Sequence, residues 1–290
     1  MGHEAAGVVH CIGEGVTSLV PGDRVAIEPG VPCRRCKRCK AGRYNLCPNM
    51  RFASDPPTDG MLCRYFKTQE DFAYRLPDHM SLQEGVLLEP LSVAVHSLRL
   101  AALRPGQSVL IQGSGTTGLL MAATASAFGA SKIFITDINE AKLDFAKKFV
   151  SCTTFAPNVK AKPAEEAERF KKEANAKDGI DVVLECTGVE SSTQTGLYIV
   201  AAAGTFVQVG MGKPHQTLPL MEMSEKEVVF KMAFRYGSGD YETALELVNA
   251  QRVSVKPLIS ATVPFELAEA AWAMTQRGEG IKNFIQGLND

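Results

Sequence analysis

Short apolar runs and amphipathic stretches alternate through the middle of this 290-residue chain. The apolar runs predict buried strands, which we place at Ser108–Ile111, Lys132–Asp137, Asp181–Glu185 and Thr205–Val209. The stretches that separate them are typical of helices, at Leu119–Phe128, Glu140–Phe149 and Ala164–Ala176. Strands that alternate with helices form a parallel sheet with right-handed crossovers. The pattern therefore predicts an α/β protein with a doubly wound parallel sheet.

The segments on either side of this region have a different pattern. Up to about Leu82 the chain is rich in Gly and Pro, with short β-branched runs such as Asp23–Ile27. This pattern predicts an irregular, β-rich region. A helix is predicted from Glu84 to Leu100 with a break near Pro90, and the chain becomes mixed again from about Lys256.

Four of the eight cysteines, Cys33, Cys36, Cys39 and Cys47, lie within fifteen residues. Thiolates at this spacing can close a tetrahedron around Zn²⁺ with no open position, which is the pattern of a structural site. Basic residues between the cysteines would offset the negative charge of such a centre. An iron–sulfur cluster or a set of free thiols remain alternatives, and zinc is favoured.

A glycine-rich turn follows the first strand of the predicted sheet. Gly113, Gly115 and Gly118 match the G-x-G-x-x-G pattern, with Thr116 and Thr117 between them, and Asp137 ends the next strand. In this context the glycines let a backbone turn approach a pyrophosphate, and the acidic residue can accept hydrogen bonds from the ribose hydroxyls. Asp137 would repel a 2′-phosphate, so NAD is favoured over NADP. The alternatives are a glycine turn without a nucleotide, and Asp137 as a simple helix cap.

The overall composition is that of a globular protein, with 45% hydrophobic residues, 22% charged residues and a formal net charge of −1. This balance gives no electrostatic reason to expect nucleic acid or a membrane surface as partner. No apolar run is long enough to span a bilayer, and Met1–Glu4 does not resemble a signal peptide. We expect a soluble, cytoplasmic protein.

Several motifs together resemble one family. They are Gly2-His3-Glu4-Ala5-Ala6-Gly7, Pro21-Gly22-Asp23-Arg24-Val25, the cysteine cluster, the glycine turn, Glu89-Pro90-Leu91-Ser92-Val93 and Phe234-Arg235-Tyr236. The chain is similar over its whole length to the zinc-dependent medium-chain dehydrogenases. Within them it is most similar to the sorbitol and xylitol branch, and to fungal xylitol dehydrogenases (D-xylulose reductases) in particular.

The resemblance implies a catalytic zinc. His3 and Glu4 match protein ligands of that metal, and Glu89 matches a second acidic residue that ligates it or holds its water. Arg235 and Tyr236 match residues at the polyol site, and Phe52 matches an apolar wall of the substrate pocket. The other interpretations are a solvated N-terminus for His3 and Glu4, a helix-boundary residue for Glu89, and a surface ion-pair partner for Arg235.

The resemblance also implies a domain arrangement and further cofactor contacts. We expect a GroES-like catalytic domain from residues 1–90 and 235–290, and a Rossmann NAD-binding domain from residues 91–234. Cys186, Thr187, Gly188 and Val209 are expected beside the cofactor. The first three of them belong to the segment where the family closes over the nicotinamide half.

The implied reaction is the NAD-dependent oxidation of a polyol to a ketose by zinc-assisted hydride transfer, with xylitol to D-xylulose favoured. Sorbitol or L-arabinitol dehydrogenase is an alternative, and so is a non-catalytic protein that binds NAD or zinc. A homo-oligomer, dimer or tetramer, is expected because relatives usually assemble in this way.

The sequence departs from the family pattern at its start. Relatives carry a segment before Gly-His-Glu that includes a cysteine ligand of the catalytic zinc, so we expect an N-terminally truncated chain with an incomplete GroES-like domain. The catalytic metal shell is then expected to be incomplete, and the activity to be weak or absent. Thr116 and Thr117 also differ from the usual residues, but NAD binding is expected to survive because the glycines remain.

Overall fold

The computed structural model describes residues 1–288, and the chain divides into two compact units. One unit is Met1–Ser92 together with Arg235–Asp290, and the other is Val93–Phe234. No helix in the described part of the chain is long and apolar enough to span a membrane.

The strands and helices follow one another along the chain as follows. The strands are β1 (Ala5–Val8), β2 (Arg24–Ile27), β3 (Gly30–Val31), β4 (Arg51–Phe52), β5 (Ala73–Arg75), β6 (Ser108–Gln112), β7 (Lys132–Thr136), β8 (Thr153–Phe155), β9 (Ile180–Glu185), β10 (Val200–Gln208), β11 (Val229–Met232), β12 (Ile259–Val263) and β13 (Lys282–Ile285). The helices are α1 (Lys37–Lys40), α2 (Leu82–Val86), α3 (Leu88–Ala101), α4 (Thr116–Ala127), α5 (Glu140–Phe149), α6 (Pro163–Glu173), α7 (Glu190–Ile199), α8 (Leu220–Glu225), α9 (Asp240–Asn249) and α10 (Ala268–Gln276).

The unit Val93–Phe234 is built on a parallel sheet with the strand order β8-β7-β6-β9-β10-β11. Its central strands are continuous apolar runs because both faces are covered, and Val109, Leu110 and Ile111 are fully buried. One face packs against α6 and α7 through Phe170 and Leu197. This strand order reverses direction between β6 and β9, which is where doubly wound sheets bind their ligands. The predicted α/β class with a doubly wound sheet is confirmed.

The predicted boundaries were less accurate than the predicted elements. β10 begins at Val200, five residues before the predicted strand, and its register with β9 shifts between Val200 and Thr205. The chain of Ala201–Gly204 lacks the β-branched residues that signal a strand. The break in the predicted helix lies between α2 and α3, just before Pro90. Pro90 belongs to the first turn of α3, where the backbone N–H that proline lacks would have no partner within the helix.

The other unit is β-rich. β1, β2 and β5 form an antiparallel sheet, in which Val25 pairs with both Gly7 and Arg75. β3 and β4 form a short antiparallel pair, and β12 and β13 a parallel pair that α10 connects. The prediction of a second, β-rich unit is confirmed, and its short strands leave long loops that carry most of the candidate site residues.

Candidate active site and metal centres

Three side chains of the β-rich unit converge on one point. His3 and Glu4 directly precede β1, and Glu89 lies in the first turn of α3. A ligand atom from each of the three lies within 4.8 Å of the others, so that one metal ion could reach all of them. The structure thus brings together three residues that are far apart in the sequence.

The segment that carries His3 and Glu4 is held by backbone hydrogen bonds. The amide of Met61 donates to the carbonyl of Gly2 at 2.8 Å, and the amide of Leu62 donates to the carbonyl of Met1 at 2.9 Å. A Cβ at Gly60 would lie 2.2 Å from the Met1 carbonyl, so this close approach requires glycine. His3 and Glu4 therefore lie in an ordered, hydrogen-bonded segment.

The electrostatics of the three residues favour a cation. Burial, followed by the neighbouring Glu4 carboxylate, raises the pKa of Glu89 to about 8, while the hydrogen bond from Tyr236 and the charges of Lys282 and Arg235 act in the opposite direction. Partial desolvation lowers the pKa of the exposed His3 imidazole, and the charge of Glu4 acts in the opposite direction. A divalent ion between these groups would offset the repulsion of the two carboxylates. One nitrogen and two oxygen donors, with a position left for water or substrate, fit the donor set of a catalytic zinc.

Lys282, the first residue of β13, forms an ion pair with Glu4. Both side chains are only about one-fifth exposed. The ammonium group therefore fixes the orientation of one of the candidate ligands. The sequence pattern did not point to Lys282.

Arg235 is held between an aromatic ring and a carboxylate. Its guanidinium lies over the ring of Phe52, 3.8 Å from the centroid, and its Nη2 is 2.8 Å from Oδ2 of Asp55. Phe52 is also 5.7 Å, centroid to centroid, from the ring of His3. Arg235 has a φ of +55°, a conformation that non-glycine residues adopt rarely and often at functional sites. Phe52 and Arg235 thus lie close to the three candidate ligands, together with Asp55, which the sequence pattern did not single out.

Tyr236 is 2% exposed, and its hydroxyl donates to Oε1 of Glu89 at 3.2 Å. Its ring packs edge-on against Tyr241, 5.9 Å between centroids, and the Tyr241 hydroxyl donates to the carbonyl of Ile27. Since packing between the two buried rings fixes the position of the Tyr236 hydroxyl, its hydrogen bond orients the Glu89 carboxylate.

The four cysteines of the cluster form a second candidate metal centre. The Sγ–Sγ distances are 3.4 Å for Cys36–Cys39, 3.9 Å for Cys33–Cys39 and 4.0 Å for Cys36–Cys47. Four sulfurs around one zinc, with Zn–S bonds of about 2.3 Å, would lie about 3.8 Å apart. Backbone N–H groups of Arg35 and Cys36 lower the pKa of Cys33, whereas desolvation and the thiols of Cys36 and Cys47 raise that of Cys39. The residues fit a structural zinc.

A buried carboxylate lies beside the cysteine cluster. Glu28 is 1% exposed and accepts hydrogen bonds from Tyr44 at 2.6 Å and from Tyr74 at 2.8 Å. Burial raises the pKa of Glu28 to about 7, although both tyrosine hydroxyls act in the opposite direction. Tyr44 lies between Cys39 and Cys47 in sequence, and its hydroxyl is also 3.2 Å from the carbonyl of Gly237. Tyr44 therefore connects the cysteine cluster with the segment that carries Arg235 and Tyr236.

The glycine turn of the other unit leaves room for a ligand. Gly113 has a φ of +100°, and a Cβ at Gly118 would lie 1.9 Å from the Gly113 carbonyl, so this crossing of turn and helix needs glycine. A Cβ at Gly115 would meet nothing within 4 Å, and Thr116 and Thr117 begin α4 immediately after it. Within the described residues, the buried hydroxyl of Ser114 has no hydrogen-bond partner. Open space, a helix N-terminus and an unsatisfied hydroxyl fit a pyrophosphate.

Asp137 follows β7 at the same edge of the sheet. Its carboxylate accepts hydrogen bonds from the amide of Ser114 at 2.8 Å and from the amide of Asn139 at 2.9 Å. The helix cap of α5 is the side chain of Asn139, which accepts from the amide of Lys142. Asp137 is therefore fixed beside the glycine turn and keeps lone pairs for a ribose hydroxyl.

The loop after β9 forms the other side of this candidate site. The buried Glu185 carboxylate accepts from the amides of Thr187 and Gly188, at 2.9 Å and 2.8 Å, and its carbonyl accepts from Val209. Cys186 is partly buried, and desolvation raises the pKa of its thiol well above the ordinary value. Its Sγ lies 3.3 Å from Sδ of Met121. Beside this loop is a cavity of about 560 Å³, a size suited to a small organic ligand, lined by Thr187, Gly188, Val189, Glu190, Ser191, Gln194, Gly212 and Lys213.

Comparisons with known proteins give the family. Residues 1–78 match the model for the alcohol dehydrogenase GroES-like domain, and residues 116–250 match the model for zinc-binding dehydrogenase. The chain is 50% identical to the "Probable D-xylulose reductase A" of Neosartorya fischeri over 290 residues, which is 100% of this chain and 81% of that protein. It is also 50% identical to the D-xylulose reductase A of Aspergillus niger over 289 residues, 100% of this chain and 80% of that one.

Among solved structures, L-idonate 5-dehydrogenase from Escherichia coli has the same fold. It superposes with a TM-score of 0.87 and 30% identity, over 98% of this chain and 81% of that chain. The predicted GroES-like and Rossmann folds are therefore confirmed, as is the prediction of a zinc-binding dehydrogenase. The chain belongs to the zinc-dependent medium-chain dehydrogenases, a family of oxidoreductases, and within it to the polyol dehydrogenase branch.

Proposed function

We propose that this protein oxidises xylitol to D-xylulose with NAD⁺ as the hydride acceptor. The observation that carries the proposal is the convergence of His3, Glu4 and Glu89 within 4.8 Å, beside Tyr236. The substrate comes from the names of relatives that are half identical along the whole chain. The reaction converts one secondary alcohol and NAD⁺ into a ketone, NADH and a proton.

In this proposal His3, Glu4 and Glu89 hold the catalytic zinc, with Lys282 and Tyr236 orienting the two carboxylates. Zinc supplies a Lewis acid that acidifies the reacting hydroxyl, and NAD⁺ accepts the hydride. Arg235 donates hydrogen bonds to other hydroxyls of the polyol. Phe52 forms an apolar wall, which keeps the substrate carbon chain in place and excludes water.

The remaining chain contributes the cofactor site and the structural zinc. Gly113, Gly115, Thr116, Thr117 and Gly118 receive the pyrophosphate, and Asp137 accepts from the ribose hydroxyls and disfavours NADP. Cys186, Thr187, Gly188 and Val209 lie beside the nicotinamide half. Cys33, Cys36, Cys39 and Cys47 hold the structural zinc.

We also propose a homo-oligomer, dimer or tetramer. β11 lies at the end of the sheet order in the described residues, and Val229 and Met232 on it are 42% and 70% exposed. An exposed apolar edge strand is a site where a second copy can pair.

The experiment compares xylitol, sorbitol and L-arabinitol in the zinc-loaded full chain, with NADH formation as the readout. We expect the highest kcat/KM with xylitol, and a low turnover with all three polyols because the catalytic metal shell is expected to be incomplete. The variant His3→Ala should lower kcat/KM on the order of 100-fold and release one zinc, because it removes a ligand. His79→Ala is the matched control, since His79 is exposed and carries no motif. Zinc-loaded protein that reduces NAD⁺ with none of the three polyols would contradict the proposal.

A further inference from the structure

The ion pair between Asp55 and Arg235 has a consequence for which polyols the site accepts. Arg235 is 18% exposed and Asp55 is 60% exposed, so the carboxylate lies toward solvent and the guanidinium toward the interior. The guanidinium acts electrostatically on both His3 and Glu89. Asp55 therefore lies next to the cation that, under the proposed function, contacts the substrate.

A guanidinium at a substrate site normally attracts anions. Its planar N–H groups can donate two parallel hydrogen bonds to a carboxylate or a phosphate. This charge-assisted pair of hydrogen bonds is stronger than a hydrogen bond to a neutral hydroxyl. With Arg235 alone, the site would favour sugar acids and polyol phosphates. The Asp55 carboxylate occupies one N–H group, at 2.8 Å, and offsets the charge.

We infer that Asp55 is a specificity-determining residue that makes this site select uncharged polyols over anionic ones. The inference rests on the proposed function, because that function places the polyol beside Arg235. An incoming substrate carboxylate would have to displace Asp55, which breaks the existing ion pair, or lie next to Asp55, which costs free energy through like-charge repulsion. A neutral hydroxyl meets no such repulsion.

The pair is suited to a test by substitution because it contributes little to folding. Ion pairs with one partner mostly exposed add little to stability, so Asp55→Asn should fold normally. Asn keeps the shape of the side chain and removes only the charge. Asp59→Asn is the matched control, because Asp59 is an exposed acid of the same loop for which the structure gives no ion pair to Arg235.

The experiment measures the binding of L-idonate and of its uncharged counterpart L-iditol to the zinc-loaded full chain with NADH, by calorimetry. In Asp55→Asn we expect Kd for L-idonate to fall on the order of tenfold relative to the parent protein, with Kd for L-iditol changed less than about twofold. Asp59→Asn should change neither. In an Arg235→Gln background, Asp55→Asn should no longer improve L-idonate binding, because the attracting charge is gone.

The inference is overturned if Asp55→Asn leaves L-idonate binding unchanged, if Asp59→Asn improves it equally, or if the gain persists in Arg235→Gln. Failure to bind either ligand in both the parent and Asp55→Asn overturns it as well. Turnover of xylitol, measured separately, decides the proposed function. A protein that oxidises xylitol but shows no selective gain for L-idonate keeps the proposed function and loses only this inference.

Discussion

Two tyrosine hydroxyls hold the carboxylate of Glu28 inside the β-rich unit. Within the protein, the pKa of Glu28 is raised from 4.5 to about 7, and burial is the largest cause. The folded protein therefore retains a proton on Glu28 that the unfolded chain loses between these two pH values. The free energy of unfolding should fall as pH rises from about 4.5 to about 7 and show no further Glu28 contribution above that range.

We predict that Glu28→Gln removes this pH dependence. The neutral amide keeps an acceptor oxygen for only one of the two tyrosines, which costs the same at every pH. It has no charge to desolvate, so the variant should gain stability relative to the parent as pH rises. The difference between pH 5 and pH 8 should be on the order of 3 kcal/mol. Urea unfolding at both pH values, followed by the fluorescence of Trp272, gives the measurement, since Trp272 is the single tryptophan and lies in the same unit. The prediction would be contradicted if the free energy of unfolding changed with pH by the same amount in the parent protein and in Glu28→Gln.

At the residue scale, the sequence predicts those site residues that belong to a local motif. The spacing of Cys33 to Cys47 identified a metal-binding cluster because all four ligands lie on one loop. Asp55 and Lys282 could not be found in this way, since each pairs with a residue far away in the chain. No local pattern distinguishes such an acid or lysine from an ordinary surface residue.

At the scale of the elements, the glycine turn between β6 and α4 shows two different uses of glycine. Gly118 allows the helix to cross the turn, because any side chain there would meet the Gly113 carbonyl. Gly115 has an extended backbone that any residue adopts, and nothing in the structure lies within 4 Å of its Cβ position. Gly118 is therefore needed for folding, and Gly115 only for the ligand.

Alanine substitutions should separate these roles. We predict that Gly118→Ala lowers stability on the order of 2 kcal/mol by overpacking. Gly115→Ala should leave the melting temperature of the cofactor-free protein unchanged and weaken NADH binding on the order of tenfold, because the methyl group occupies space for the pyrophosphate. Thermal unfolding and NADH fluorescence titration measure the two effects. Equal melting temperatures for both variants would show that the crossing at Gly118 tolerates a side chain.

The elements themselves were predictable where one physical signal dominates. The buried strands β6, β7 and β9 are continuous apolar runs, and α5 matches its predicted bounds, with Asn139 as its cap. β8 and β11 were not predicted, because these short outer strands are only partly buried and lack such a run. Their pairing depends on neighbours that the local sequence does not reveal.

For the molecule as a whole, the two candidate metal centres both belong to the unit Met1–Ser92 with Arg235–Asp290. The cysteine centre consists of a loop with a helix of only four residues and no buried residue in that helix. Metal binding is therefore expected to hold this loop together, whereas His3, Glu4 and Glu89 would leave a bound zinc a position for substrate.

We predict about two zinc ions per folded chain, and about one in the variant Cys47→Ser, because three thiolates bind zinc far less tightly than four. Cys152→Ser is the matched control, since Cys152 belongs to the other unit and to neither metal cluster of the described residues. Metal analysis of dialysed protein measures the count. A Cys47→Ser protein that keeps both ions would show that the cysteine loop is not a zinc site.

The double contact of Tyr44, to Glu28 and to the Gly237 carbonyl, gives the cysteine loop an influence on catalysis. An oxidant or a chelator that attacks only the loop thiolates would also loosen the backbone next to Tyr236. Enzyme damaged in this way should lose turnover while its reaction-centre metal is still in place. The sulfur site would thus make substrate oxidation vulnerable to thiol stress through four thiolates that the proposed hydride transfer does not use.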